Sequence, residues 1–170
     1  MIGALLALLV VAAPVPRAMP KLTLEVQNPR STGRHLLALE DVVGPEARAL
    51  AGPGRAMLVV ILTPFLRQPF GTDLAKLSAL AEANPGGLVV GIVASAPPGS
   101  SEARLDPEGQ RFLVLADPHG LAKQRLGVVG PGQVLVIRSD GRIVGDFSPA
   151  QGALGRAIEL FSSLLKEDLP

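Results

Sequence analysis

The residues able to do chemistry in this chain are few, and their spacing limits what they can do. Cysteine is absent, which excludes disulfides, thiolate nucleophiles and cysteine metal ligands outright. His35 and His119 are the only imidazoles. They lie far apart, and no HxH or HxxxH spacing offers a metal two ligands from one element. Asp117 and Asp140 fall in turns, where a carboxylate bonds backbone N–H groups without any catalytic role, and His119 reads as a surface residue of the first of those turns. Gly130-Pro131-Gly132 lacks the Lys-Ser/Thr of a phosphate loop and precedes a strand rather than a helix. No serine sits in a nucleophile elbow with a paired histidine. Arg67 follows an apolar strand and could hold an anion at the start of the next helix, although a solvated arginine accounts for it equally. Sixteen Lys and Arg against 15 Asp and Glu leave a net charge of +1, and no basic patch with interleaved aromatics gives a case for nucleic acid.

The elements that would position these residues are legible from hydrophobic period. Ala56–Leu62 (AMLVVIL) and Leu88–Ala94 (LVVGIVA) are continuous apolar runs rich in β-branched residues, as strands buried on both faces require. Gly91 inside the second implies close packing, with a helix as the expected neighbour. Between them Leu74, Leu77, Leu80 and Ala81 recur at helical spacing, with Thr72 as the expected N-cap and Gly86-Gly87 as the stop. Lys21–Gln27 alternates as a half-buried strand, and Leu36–Leu39 returns after a turn. Glu46–Leu50 allows a helical turn and Glu102–Gln110 a short helix interrupted at Pro107.

Phe112–Phe147 reads as strand, turn, short helix, glycine-rich bend, strand, Asp140-Gly141 turn and strand. Ser148, with Pro149 at the first helical position, would open a last helix striped by Leu154, Ala157, Ile158, Phe161, Leu164 and Leu165. The order is β β, β α β, (α) β α β β α.

Ile2–Ala13 is an unbroken apolar run, too short to span a bilayer comfortably before Pro14 and Pro16. It fits the hydrophobic part of a signal peptide or an uncleaved anchor, without a preceding Lys or Arg and with proline at or beside both small-residue cleavage points. A buried first strand or a misassigned start codon is the alternative.

Several short pieces, in order and at matching spacing, resemble the thioredoxin-like superfamily. The likeness is to its redoxin, peroxiredoxin and membrane-side thiol-disulfide oxidoreductase types. They are Asp117-Pro118-His119-Gly120, Leu126-Gly127-Val128, Gly130-Pro131-Gly132, Val134–Ile137 and Asp140-Gly141-Arg142-Ile143, with Gly33, Leu39, Asp41, Val43 and Gly44 matching the N-terminal hairpin. The resemblance implies an α/β thioredoxin-like fold. A central mixed β-sheet would carry flanking helices and an N-terminal hairpin, in a domain over residues 21–170 behind a signal or membrane-proximal segment over 1–20.

It also implies where an active site would lie: after the central strand, at Thr63–Phe70. The two redox cysteines would fall on Leu66 and Pro69. The peroxiredoxin pattern matches at Thr63-Pro64-Phe65 and places Leu66 at the peroxidatic position. The proline that the family holds in the cis form beside its substrate would fall at Gly132, with Pro131 one residue earlier. The expectation is therefore a redox-inactive thioredoxin-like domain with no catalytic, cofactor or metal residues and no cofactor. It would act as a binding or scaffold module outside the cytosol, or in the cytoplasm if the N-terminal run is not a signal. Its partner would be a protein at the Thr63–Phe70 loop, and its N-terminus could associate with a membrane. The alternatives are a thiol-disulfide oxidoreductase or peroxiredoxin-related protein, as the family label implies, or a small-ligand or anion binder at the helix N-terminus using Arg67.

Overall fold

The computed structural model describes residues 16–29, 32–42 and 55–167; the Ile2–Ala13 run and the expected turn at Glu46–Leu50 lie outside them. Among the described residues eight strands form one sheet: β1 (Arg17–Ala18), β2 (Thr23–Val26), β3 (Leu36–Ala38), β4 (Met57–Leu62), β5 (Leu88–Ala94), β6 (Leu113–Asp117), β7 (Val134–Ile137) and β8 (Arg142–Phe147). Their spatial order is β1-β8-β7-β4-β5-β6-β2-β3. β4, β5 and β6 are parallel, and the remaining pairings are antiparallel. The sheet curls into a half-barrel rather than lying flat. Among the described residues three α-helices accompany it: α1 (Leu74–Ala83), α2 (Leu121–Leu126) and α3 (Ala153–Glu167).

The two continuous apolar runs became the two central strands because both their faces are covered. Every residue of β4 is buried. Met57, Val59 and Ile61 join the core beneath α2, with Leu24, Leu115 and Leu126. Leu58, Val60 and Leu62 join the core beneath α1 and α3, with Leu77, Ala157 and Phe161. α3 buries Leu154, Ala157, Phe161 and Leu164, the stripe expected from its period. With 3% aromatics in the chain, Phe112 and Phe161 are the largest side chains fully enclosed among the described residues.

Several local expectations are corrected. Asp73, not Thr72, caps α1: its Oδ1 accepts from the Ala75 N–H at 2.9 Å and the Lys76 N–H at 3.2 Å. Thr72 is instead consumed in a turn, its N–H donating to the Pro69 carbonyl at 3.1 Å. Glu102–Gln110 is not helical. The Asp106 carboxylate takes the Glu108 N–H and Gln110 closes a turn on Pro107, so local side-chain bonding outcompetes the helix. α3 does not start at Ser148-Pro149. It begins at Ala153, after a turn through Gly152 in the left-handed region at φ 80°. Gly91 makes room for side chains rather than for a helix: a Cβ there would lie 2.6 Å from Leu62 Cδ1 and 2.8 Å from Phe112 Cε2. Arg17 and Ala18 pair with Ile143 and Arg142, so the sheet extends to the N-terminal side of Lys21.

Candidate functional site

The loop leaving β4 carries the positions of interest and is held by its own backbone. Phe65 forms an antiparallel bridge with Arg104. The flanking bonds run from the Leu66 N–H to the Ala103 carbonyl at 2.7 Å and from the Leu105 N–H to the Pro64 carbonyl at 3.0 Å. Gln68 closes the turn from inside. Its Oε1 accepts from the Thr63 N–H at 2.9 Å, and its Nε2 donates to the Thr63 and Phe65 carbonyls at 3.1 and 2.5 Å. The Thr63 hydroxyl donates to the Arg67 carbonyl and accepts from the Phe65 N–H, both at 3.4 Å. That hydroxyl, the one match to a catalytic pattern, is spent on loop geometry.

The apolar side chains of the loop divide. Leu66 is 57% exposed and Phe70 44% exposed, while Phe65 and Pro69 are half-buried. Phe70 adopts φ 56°, the only positive φ at a non-glycine residue among the described residues, and Gly71 follows at φ 70°. This left-handed pair swings the Phe70 ring across the end of β4 onto the bend before β7. A Cβ built at Gly132 would lie 2.5 Å from Phe70 Cδ2. Gly132 is itself left-handed at φ 88° and bonds the Ile61 carbonyl through its N–H at 2.8 Å. No cis peptide bond occurs among the described residues. Where the resemblance would put a proline beside the substrate, this chain has a glycine beneath an aromatic ring.

The bend is braced by a residue that sequence patterns do not single out. Gln133 is 3% exposed; its Oε1 accepts from the Val129 N–H at 2.7 Å and its Nε2 donates to Asp146 Oδ1 at 2.5 Å. Asp146 in turn pairs with Arg17 at 3.2 Å, and Arg17 donates to the Leu126 carbonyl at 2.6 Å. Val129 is left 66% exposed on the same bend. On the other side of the loop an open depression of about 540 Å³ is lined by Leu66, Arg67, Glu102 and Ala103.

Arg67 lines that depression and does not directly precede a helix. α1 begins at Leu74, and its leading N–H groups already bond the Asp73 carboxylate, a negative cap that opposes an incoming anion. The remaining candidates are structural. Asp117 Oδ2 accepts from the Ala122 and Lys123 N–H groups at 3.0 and 3.2 Å, opening α2. Asp140 takes the Arg142 N–H at 3.0 Å in the β7–β8 turn and pairs with Arg138. The Arg138 hydrogen bond, reinforced by the Arg142 N–H, holds the Asp140 carboxyl below the usual range. His35 and His119 are exposed. Among the described residues no group of three His, Asp or Glu is placed to hold a metal ion.

No family profile and no curated protein matches the sequence. Solved structures do match. DsbF of MTB, in mixed oxidised and reduced forms, superposes at TM-score 0.59 with 12% identity, covering 86% of this chain and 99% of that one. A secreted Mycobacterium tuberculosis disulfide oxidoreductase homologous to E. coli DsbE matches at TM-score 0.55 and 19% identity, covering 84% and 96%. BsSco, a member of the Sco family of cytochrome c oxidase assembly proteins, matches at TM-score 0.55 and 11% identity, covering 90% and 96%. The fold is therefore thioredoxin-like, as the pieces around Asp117 and Asp140 implied. It is a thioredoxin-like fold without a cysteine anywhere in the chain, and the thiol chemistry of such folds is closed to it.

Proposed function

We propose that this chain is a redox-inactive thioredoxin-like module that engages a protein partner through the loop Thr63–Phe70. The observation that carries the proposal is the exposure of Leu66 and Phe70 on a loop whose backbone is hydrogen-bonded at residues 63–67 and 69. A pinned loop presents apolar side chains at little ordering cost, which is what an interface anchor requires. Val129 is exposed as well, on the bend whose Gly132 the Phe70 ring covers. The oxidoreductase reading has no nucleophile to work with, since neither Leu66 nor Pro69 can attack a disulfide or a peroxide. Leu66→Asp is the test. It abolishes partner capture while the denaturation midpoint stays near that of the unsubstituted protein; loss of the fold would instead make Leu66 a structural plug.

We further propose an extracytoplasmic location. Its support is the apolar run Ile2–Ala13, which ends four residues before β1, together with the secreted oxidoreductase among the structural matches. Fractionation of native cells with N-terminal sequencing decides it. An intact Met1 on a soluble cytoplasmic protein would overturn the assignment.

A further inference from the structure

A second cavity lies beside the loop, at the carboxyl ends of the parallel strands β5 and β6. Open α/β sheets commonly bind ligands at that end of their strands. It is a half-open hollow of about 240 Å³. Its apolar lining comes from Pro64, Val93, Leu105, Val114 and Ala116. Three polar residues also line it: Gln27, Ser95 and Arg104. No carboxylate lines it among the described residues.

Arg104 is the only charged residue of that lining; it stands exposed at the rim, and its guanidinium has no hydrogen-bond or ion-pair partner among the described residues. Its backbone is fixed, because residues 103–105 are bridged to 64–66 on both sides of Arg104. The other two polar residues each make one bond to the neighbouring backbone. Gln27 continues β2 along β6, its N–H donating to the Val114 carbonyl at 2.8 Å, and the Ser95 hydroxyl donates to the Pro118 carbonyl at 3.4 Å. The Gln27 carboxamide has no partner among the described residues.

We propose that this cavity binds a small carboxylic acid with a short apolar body, its carboxylate paired with Arg104. A guanidinium presents parallel N–H groups that match a carboxylate. The apolar walls suit a hydrocarbon tail, and the volume falls below that of sites for drug-sized ligands, about 300–1,000 Å³, so the tail is short. A dianionic phosphate would bring more charge than one arginine and two neutral residues can balance. The site meets the Thr63–Phe70 loop only at Pro64, involves neither Leu66 nor Phe70, and does not depend on the partner reading.

The test titrates the full chain with hexanoate, hexanol and inorganic phosphate, read by calorimetry and by amide chemical shifts. Hexanoate saturates and shifts the amides of residues 93–95, 104–105 and 114–116. Hexanol and phosphate bind at least tenfold more weakly. Arg104→Gln weakens hexanoate at least tenfold with an unchanged melting curve. Ala116→Leu, which fills the cavity, removes binding. Arg67→Gln, at the neighbouring depression, leaves it intact. The proposal is overturned if hexanoate gives no saturable signal, if hexanol or phosphate binds as well, or if Arg104→Gln binds hexanoate undiminished. The Arg104 variant decides the matter even should Ala116→Leu fail to fold.

Discussion

Phe70 and Gly132 are matched to one another: the ring occupies the space a side chain at residue 132 would need, and both residues hold left-handed backbone angles. Together they cover the junction between the end of β4 and the bend leading into β7. Gly132→Ala adds a Cβ into that contact and strains φ, and should cost about 1–3 kcal/mol. In a Phe70→Ala background the steric part of the cost disappears and the backbone part remains. A double-mutant cycle by urea denaturation measures the difference. Additive costs would mean the two residues do not couple.

Gln68 makes three hydrogen bonds that no other side chain of the loop can replace. Gln68→Ala leaves the Thr63 N–H and the Thr63 and Phe65 carbonyls to find water. It should destabilise by about 1–3 kcal/mol. Amide exchange should quicken across residues 63–68 and stay slow in β5. Unchanged exchange in the loop would show that the clamp is dispensable.

Asp140 gives a pH signature of known sign. Its folded-state pKa is depressed, first by the Arg138 hydrogen bond. Its contribution to stability is therefore present above the unfolded carboxylate pKa, about 3.9, and is lost as pH falls through the lower folded value. The side chain is 39% exposed, so the effect is small. Asp140→Asn should lower stability slightly at neutral pH, have no effect below the folded pKa, and so flatten the acid limb of the stability profile. A steeper acid limb in the variant would reverse the assigned sign.

A chain with three Met and no Cys has no thiol to turn over. Insulin-disulfide reduction and peroxide consumption should equal a protein-free control in metal-free buffer. Turnover that persists across independent purifications would contradict the thiol-free account.

The sheet and helices were legible because they depend on pattern. Ala56–Leu62 and Leu88–Ala94 are apolar throughout, short and rich in β-branched residues, as a strand covered on both faces requires. The site was legible in position but not in shape. Counting from the Thr63-Pro64 step placed Leu66 and Pro69 correctly on the loop after β4. Nothing in sequence marks Gln68 as an internal clamp, because a polar residue in a loop is ordinarily solvated. The left-handed turn at Phe70-Gly71 is equally hidden: Gly71 announces it, but Phe70 adopts it only because its ring has Gly132 to rest on. β1 escaped notice because two residues carry no period. Asp73 was passed over for its neighbour Thr72, since both are good caps and only the Pro69 turn decides between them.

The most direct measurement replaces Leu66 with a photoreactive apolar residue in the full chain and irradiates cells of the native host. The account predicts one discrete protein adduct from residue 66. The same adduct should form from residue 70 and be lost from the residue 66 probe when Phe70→Asp is added. A probe at Leu36, equally exposed on the far edge strand β3, should give none. No adduct from residue 66, or the same adduct from residue 36, would contradict a partner surface at this loop.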